Sequence, residues 1–501
     1  NTTVCCITAC KFYGDGSNIT GINAGFDPDA DENLVAGTQA GANLDGTNAC
    51  YNVLLGKDAG KCITSGSYNL AMGIDALGDA TLTGNHNIGF GYAAGEKITA
   101  GANNIILGCS AGKTLGGGSD NIILGNYAGH SLATGNWNTF IGKEAGRYGS
   151  GGSYNVFFGC GAGHKNNCSY NVAIGYGALC SSSTVSSNTG RLNVAIGVYA
   201  GACATSGESN TLIGKSAGER ITSGNCNTML GDCAGLMVTT GTKNVMIGHG
   251  AGCCNQTGNC NIFIGHRAGS CSYTTGCNNT VIGNDSGKVT SGCTNTFIGW
   301  CAAGAGSVTG NVNFFVGSYT GKSLTSGGCN FFYRPLAGFA NDTGNDNIFF
   351  GAWAGRDNTS GDANIAMGCN TLYNNGSSCY NIALGIEAGR CNSGNSNVFF
   401  GMFAGKCNTG GRCNVFIGNY AGQGAASSGG TGHNNIAIGC NTLKNNLTTA
   451  CYNVAIGPAA GQCISTGGHN LMFGAWSGDK ITTGDRNVNI GISAGCAISD
   501  G

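Results

Sequence analysis

The chain has 501 residues, of which 94 are Gly, 29 are Cys and only 3 are Pro; charged residues make up 9% and the formal net charge is -1. Average soluble chains run near 25% charged and about 7% Gly, so this composition is far from that of an ordinary multidomain enzyme and points to one repetitive body. The 41% hydrophobic content supplies a core and excludes charge-driven disorder, no apolar run approaches the roughly 20 residues of a membrane span, and the absence of basic runs removes the footprint of a nucleic-acid binder.

The first segment, residues 1–32, carries Cys5, Cys6, Cys10 and the acidic stretch DPDADEN. It fits no repeat and reads as a cap or connector, which a solenoid needs over an open end. No Met opens the chain and no signal peptide is visible, so the N-terminus is processed or the chain is a fragment of something longer.

From Asn33 (NLVAG) onward the word Asn-Φ-x-Φ-Gly, with Φ apolar, dominates. It starts at Asn52, Asn69, Asn87, Asn104, Asn121, Asn138 and Asn155, and continues through Asn261, Asn347, Asn414 and Asn453 to Asn487. The spacing is about 17 residues, giving about 27 repeats. Two residues after each word comes Ala-Gly, as at Ala59-Gly60 and Ala145-Gly146, and then Thr/Ser-Gly, as at Ser65-Gly66 and Thr134-Gly135. Glycines at three fixed offsets mark places where the chain bends or takes φ > 0. The three to five residues between them are too few for a helix. The pattern predicts an all-β solenoid over 33–501, coiling once per unit with neighbouring coils about 4.8 Å apart, a rod of roughly 130 Å.

Stacking would place each anchor Asn above the last, so that amides hydrogen-bond along the axis as in cross-β stacks. The expected ladder includes Asn52, Asn69, Asn104, Asn121, Asn138, Asn155, Asn261, Asn347 and Asn414; the alternative is that each Asn serves only its own turn. The middle residue of the word is often apolar, at Phe140, Phe157, Phe263, Phe297, Phe349, Phe399 and Phe416. If the second and fourth positions fill the coil, these phenylalanines form an outward stripe too large for a monomer, which predicts side-by-side self-association, most simply three-fold. The other arrangement turns this position into the interior.

Four units replace the second Gly by Leu: Ala76-Leu77, Ala178-Leu179, Thr371-Leu372 and Thr442-Leu443. Two intervals are longer, with insertions near 180–192 and 423–434 that enter on the Thr-Gly side and project as loops. At Asn330 the word reads NFFYRP; Arg334-Pro335 in place of the Gly corner predicts a kink or bulge.

The cysteines fall into groups after the Ala-Gly corner and before the anchor Asn. Three C-x5-C pairs cross the Thr-Gly turn and are the candidate disulfides: Cys254–Cys260, Cys271–Cys277 and Cys407–Cys413. Bonded cysteines would imply an oxidising compartment; the alternative is that Cys is a small, easily buried residue at Ser or Asn positions. Zinc spacing, a haem motif, phosphate loops and the Asp-bearing nonapeptide of calcium rolls are all lacking. Outside the N-terminus the carboxylates form no cluster of the kind glycoside hydrolysis uses. We assign no catalytic, cofactor-binding or metal-ligating residue and no cofactor, and expect no enzyme. The N-x-S/T sequons at Asn18, Asn255, Asn341 and Asn446 are what chance produces in so Asn-rich a chain.

Units such as NTFIGKEAGRYGSGGSYNVFFG and NVAIGYGALCSSSTVSSNTG resemble the Asn/Thr/Gly-rich repeats of fibre and virion structural proteins of tailed bacteriophages, notably marine ones. The word is also similar, more distantly, to the head repeat of trimeric autotransporter adhesins, which are left-handed β-rolls packed three abreast with shorter units. The resemblance implies a homotrimeric, protease-resistant rod reaching from a virion toward a host-cell receptor or glycan, and it transfers no catalytic residue. The expectation is therefore a structural fibre, virion-borne or extracellular, with a secreted self-assembling cellular filament or adhesin as the alternative. An ice-binding solenoid would need regular Thr ladders on a flat face, and Thr here is irregular.

Overall fold

The computed structural model describes residues 28–181, 188–270, 275–288, 291–305, 307–424, 429–444 and 448–498. Residues 1–27, with Cys5, Cys6 and Cys10, and parts of both insertions lie outside them, whereas the acidic stretch from Asp29 to Glu32 is described. The fold is an all-β parallel solenoid of twenty-seven three-residue strands, and no helix occurs among the described residues. The chain divides into two compact units, Asn1–Gly151 and Gly152–Gly501.

In the first unit, strands β1 (Leu34–Ala36) to β7 (Thr139–Ile141) stack parallel and in register, as in Ile105↔Ile122, Ile106↔Ile123 and Leu107↔Leu124. In the second, β8 (Val156–Phe158) to β27 (Val488–Ile490) do the same. Each strand is the Φ-x-Φ of one word. Registered backbone bonds continue beyond the strands: Gly60 N–H donates to the Ala76 carbonyl at 2.8 Å and Thr99 N–H to the Gly116 carbonyl at 2.9 Å. The turns are thus rungs of the same stack.

The strand faces are the reverse of the expected ones. Phe140, Phe157, Phe263, Phe297, Phe349, Phe399 and Phe416 are buried in the coil interior, while the second and fourth residues of the word face outward. The pleat explains this. Alternate residues share a face, so a middle residue goes wherever the anchor Asn goes, and the Asn side chains point inward. The seven phenylalanines therefore cannot form an association stripe. Phe315, Phe332 and Phe349 stack on one another inside the coils, with centroids 4.6 and 4.8 Å apart and rings within 6° and 9° of parallel. Burying each ring contributes about 1.5–3 kcal/mol and each stacked pair about 0.5–1.5 kcal/mol more.

Two further positions complete the core: the Ala of Ala-Gly and the third residue past it, such as Ile63, Ile98, Leu115, Leu132, Ile221 and Val238, all buried. The Leu-for-Gly units are explained here. Each has Ala at its strand centre (Ala71, Ala173, Ala366 and Ala437), and Leu77, Leu179, Leu372 and Leu443 are buried in the vacated space. Leu77 also reaches the next coil, where a Cβ on Gly89 would lie 2.8 Å from its Cγ. Conversely, a Cβ on Gly146 would lie 2.7 Å from the Phe140 ring. Large and small residues exchange places to hold the packed volume constant. Phe297, whose unit has Ala303 at this corner, is tilted 36° against Phe315.

Of the three glycine positions, two take positive φ. The strand-end Gly is extreme, as at Gly125 (φ 135), and the Ala-Gly glycine sits in the left-handed well, as at Gly129 (φ 53). The Thr-Gly glycine is needed for close approach: a Cβ on Gly66 would lie 2.5 Å from the Gly84 carbonyl oxygen. Non-glycine residues also turn left-handed at two places per coil, before the anchor Asn (Tyr51, φ 60; Tyr68, φ 59) and two residues past the strand-end Gly (Asp58, φ 57).

The bulge expected at Arg334 is absent. Strand β18 (Phe331–Tyr333) pairs in register with β19 (Ile348–Phe350), Phe332 opposite Phe349. Arg334 turns the glycine corner itself at φ 99, conformational strain of about 1–3 kcal/mol that the registered neighbours hold in place.

Candidate functional site

The most organised feature of the interior is the Asn ladder. Asn347 N–H and Nδ2 donate to Asn330 Oδ1 at 3.0 and 3.1 Å, Nδ2 also donates to the Gly361 carbonyl at 2.8 Å, and Oδ1 accepts from Asn364 N–H and Nδ2 at 3.0 and 3.1 Å. In the first unit Asn52, Asn69, Asn104, Asn121 and Asn138 repeat the pattern. In the second, Asn155 accepts from Asn171 N–H, Asn261 donates to Asn244 Oδ1, and Asn414 to Asn397 Oδ1. These side chains are buried, so only a group carrying both donors and an acceptor can satisfy the neighbours above and below. The structure therefore places all nine expected ladder residues in ladders.

The start of the first ladder is closed by a carboxylate. Asp29 Oδ1 accepts from Asn33 N–H at 2.8 Å and Oδ2 from Asn33 Nδ2 at 3.2 Å, the place an Asn oxygen fills in the coils that follow, as Asn33 Oδ1 does for Asn52. Desolvation opposes ionisation of Asp29, but the bonds from Asn33 and Asp31 outweigh it and hold the carboxyl below its ordinary value. A lowered carboxyl stabilises the fold above the unfolded-state pKa of about 3.9, and that contribution is lost as pH falls through the folded value. We expect the amides of Asn33 and Leu34 to lose hydrogen-exchange protection below about pH 4 while those of β5 (Ile105–Leu107) keep theirs. Asp29→Asn should retain protection and abolish this pH dependence; an unchanged acid profile in that variant would contradict the capping role.

A second ladder was not legible as such. At the third position past Ala-Gly, where other coils carry Ile or Leu, Asn358 Nδ2 donates to Asn341 Oδ1 (2.7 Å), Asn375 to Asn358 (2.9 Å), Asn392 to Asn375 (3.3 Å) and Asn408 to Asn392 (2.9 Å). All five are buried. The signal was the recurrence of Asn at one offset over five successive units, hidden by the abundance of Asn. Asn341 and Asn255, two of the sequon residues, have no exposed surface; Asn18 and Asn446 lie outside the described residues.

A third ladder explains part of one cysteine group. Two residues before the anchor Asn, a side chain accepts from the backbone N–H one coil earlier: Asn136 Oδ1 from Ser119 (2.8 Å), Cys277 Sγ from Asn259 (3.3 Å), Cys293 Sγ from Cys277 (3.2 Å) and Cys451 Sγ from His433 (3.3 Å). Cys stands there in the role of Ser or Asn. The turn pairs Cys254–Cys260 and Cys407–Cys413 are not formed. Cys254 Sγ lies 3.3 Å from Cys253 Sγ rather than on Cys260, and Cys260, Cys277, Cys407 and Cys413 hold free thiols. Cys277 is engaged in the capping ladder, Cys407 is buried whereas Cys413 is exposed, and Cys271 lies outside the described residues.

Surface chemistry is sparse. A shallow cleft of about 540 Å³ is lined by Cys233, His249, Cys253, Arg267 and Ser270 among others. Burial, and then the contact with Asp232, push the Cys233 thiol up to about 11, the opposite of what a nucleophilic cysteine needs. His249 stacks on His266 with centroids 5.3 Å apart. Burial and the neighbouring Asp79 raise the Glu96 carboxyl against the pull of Lys113, 3.1 Å away. Among the described residues no group of three or more metal-ligating side chains comes together, and no helix is long and apolar enough to cross a membrane.

The outward strand face is the second distinctive feature. Its second and fourth positions are apolar or Thr in every strand, with one Tyr and no charge. Phe90, Phe158, Phe350 and Phe473 are 44–53% exposed. With two exceptions, Tyr148 and Ile498, the exposed large apolar residues lie between the residue before the anchor Asn and the second residue past the corner Gly. Aromatic side chains before the anchor also stack between coils, as Tyr51, Tyr68 and His86 do at 4.9 Å. No protein-family model and no curated protein matches this chain.

Proposed function

We propose that the chain is a structural fibre protein, the shaft of a virion or extracellular appendage that holds a host-surface contact away from its anchorage. The observation that supports this reading is the buried Asn ladder, in which the backbone N–H of one anchor Asn after another donates to Oδ1 of the anchor before it, so that successive coils carry the same mechanical role. The invariance extends to the core, where Leu77, Leu179, Leu372 and Leu443 restore the volume that a small strand-centre residue leaves. Of the ionisable groups described above, Asp29 closes a ladder, His249 stacks on His266 and the Cys233 thiol is pushed up to about 11, roles that support a scaffold rather than a catalyst. The partner this reading implies is a host-cell receptor or glycan.

Negative-stain electron microscopy of the protein, before and after protease challenge, tests it. The twenty strands β8 to β27 at about 4.8 Å per coil require a particle at least about 95 Å in one dimension, surviving digestion. Compact particles near 60 Å, the size of a globular chain of this length, or rapid digestion to small peptides, would overturn the proposal.

A further inference from the structure

The outward strand face of the unit Gly152–Gly501 carries no polar residue beyond four Thr and one Tyr, where a solvated β-face is polar along its length. Five strands of the whole chain have Thr at the second position (Thr139, Thr211, Thr228, Thr280 and Thr296); the rest are Val, Ile, Leu or Phe. The fourth position is apolar throughout, apart from the single Tyr333. The densest stretch has Phe314, Phe331 and Ile348 in one row, 39, 38 and 36% exposed, with Phe350 and Met367 in the other, 44 and 39% exposed. Phe314 stacks on Phe331 and Tyr333 on Phe350, with centroids 5.1 and 4.9 Å apart. The rings therefore form continuous rows rather than isolated side chains.

We propose that this face is a self-association surface, occupied by the same face of further copies of this chain. The inference rests on the fibre reading and names the partner of that fibre. Size is the first argument. A three-residue strand covers about 10 Å by 4.8 Å, so twenty stacked strands present on the order of 1,000 Å². That exceeds the few hundred Å² a monomer leaves exposed and matches the roughly 800 Å² per partner of a stable interface. Composition is the second: depletion of charge with Phe, Met and Tyr enriched marks the buried centre of an interface. Periodicity is the third. The rows repeat at the coil spacing over the full stack, and a second copy presents rows with the same repeat. A formal net charge of -1 leaves little like-charge repulsion between copies.

Sedimentation velocity of the full chain in reductant, at micromolar concentration, tests the proposal, alongside Phe331→Lys/Phe350→Lys and the off-face control Tyr148→Lys. Wild type and the control should sediment as a dimer or trimer. The double variant should retain the circular dichroism of the wild type and dissociate at least about 10-fold more readily, since buried unpaired charge at an interface costs well over the 1.4 kcal/mol of one decade. A monomeric wild type, or a double variant as assembled as the wild type, overturns the proposal; a monomer that instead floats with phosphatidylcholine vesicles assigns the face to lipid and overturns it too. An elongated but monomeric particle would remove the interface while leaving the fibre reading standing, and a compact particle would remove the fibre reading first.

Discussion

Asn347→Leu should strip protection from the coils around residues 330–381 and destabilise them by about 1–3 kcal/mol, because one buried donor loses its only described partner. That donor is Asn364 N–H, whereas Asn330 Oδ1 loses the Asn347 amide but keeps the backbone N–H of residue 347. Asn364 Nδ2 and the Gly361 carbonyl keep their bonds to the Ser378 carbonyl and to Asn358 Nδ2, which sets the upper bound. The near-isosteric Asn347→Asp separates polarity from shape. It keeps an acceptor for Asn364 but turns a second carboxylate oxygen toward Asn330 Oδ1 and the Gly361 carbonyl, where the amide now donates. Charging that group is unfavourable, so its folded-state pKa is raised, and the penalty grows as pH climbs above about 4. Hydrogen exchange read by mass spectrometry, with peptides from residues 28–151 as internal reference, checks both variants. Equal protection of Asn347→Leu and wild type would show that the ladder contributes nothing to stability.

Gly125→Ala should be of comparable severity for a different reason. Gly125 has φ 135, and a Cβ there would lie 2.5 Å from the Gly142 carbonyl oxygen and 2.6 Å from its carbon, a clash with backbone that no side-chain rotation relieves. Strain at such a φ costs about 1–3 kcal/mol, and with the displaced neighbouring coil we expect a loss of about 3 kcal/mol or more. The same corner supplies the reverse experiment. Arg334 already turns it with a side chain, at φ 99, and the Gly351 N–H to Tyr333 carbonyl bond there is 3.1 Å where the corner bonds elsewhere cluster near 2.8 Å. Arg334→Gly should therefore stabilise its coils by about 1–3 kcal/mol. Denaturant unfolding followed by circular dichroism reads both, and a stabilised Gly125→Ala or a destabilised Arg334→Gly would contradict the assignment of these corners.

Much of this fold was written in the sequence, and the exceptions have identifiable physical causes. The period, the three-residue strands and the anchor ladder follow from Asn, Gly and apolar residues recurring at fixed offsets, as the nine expected ladder positions illustrate. Which way Phe140 and its counterparts point was missed because a strand with apolar residues on both faces does not declare its interior by hydropathy. Two signs were present nevertheless. Asn and the middle residue share a face in the pleat, and each Leu-for-Gly exchange sits in a unit with Ala at its strand centre, a pairing that makes sense only if both fill one interior. The register at Arg334 was misjudged because propensity forbids that corner to a side chain, while neighbouring coils on both sides impose it. The cysteine pairs were misjudged because spacing along the chain says little about neighbours in a stack, where Cys277 meets Asn259 and Cys293 rather than a residue in its own turn.

The amide ladders also give the molecule a direction. In every rung the later Asn donates and the earlier one accepts, beginning with the Asp29 carboxylate. In this ladder a folded coil thus offers a side-chain oxygen on the side where the next coil arrives and the newcomer brings the hydrogens, while backbone N–H groups such as those of Gly60 and Ser119 face the same way. Chains are made from the N-terminus, and their early parts fold first, so each turn leaving the ribosome meets a template already facing it. Forming one coil on such a template fixes only about seventeen residues at a time and closes only short loops, which keeps the entropic cost of each step low. The order of translation and the polarity of the anchor ladder therefore agree, and growth by addition of coils needs only pairings about seventeen residues apart, unlike the distant pairings that slow other parallel sheets.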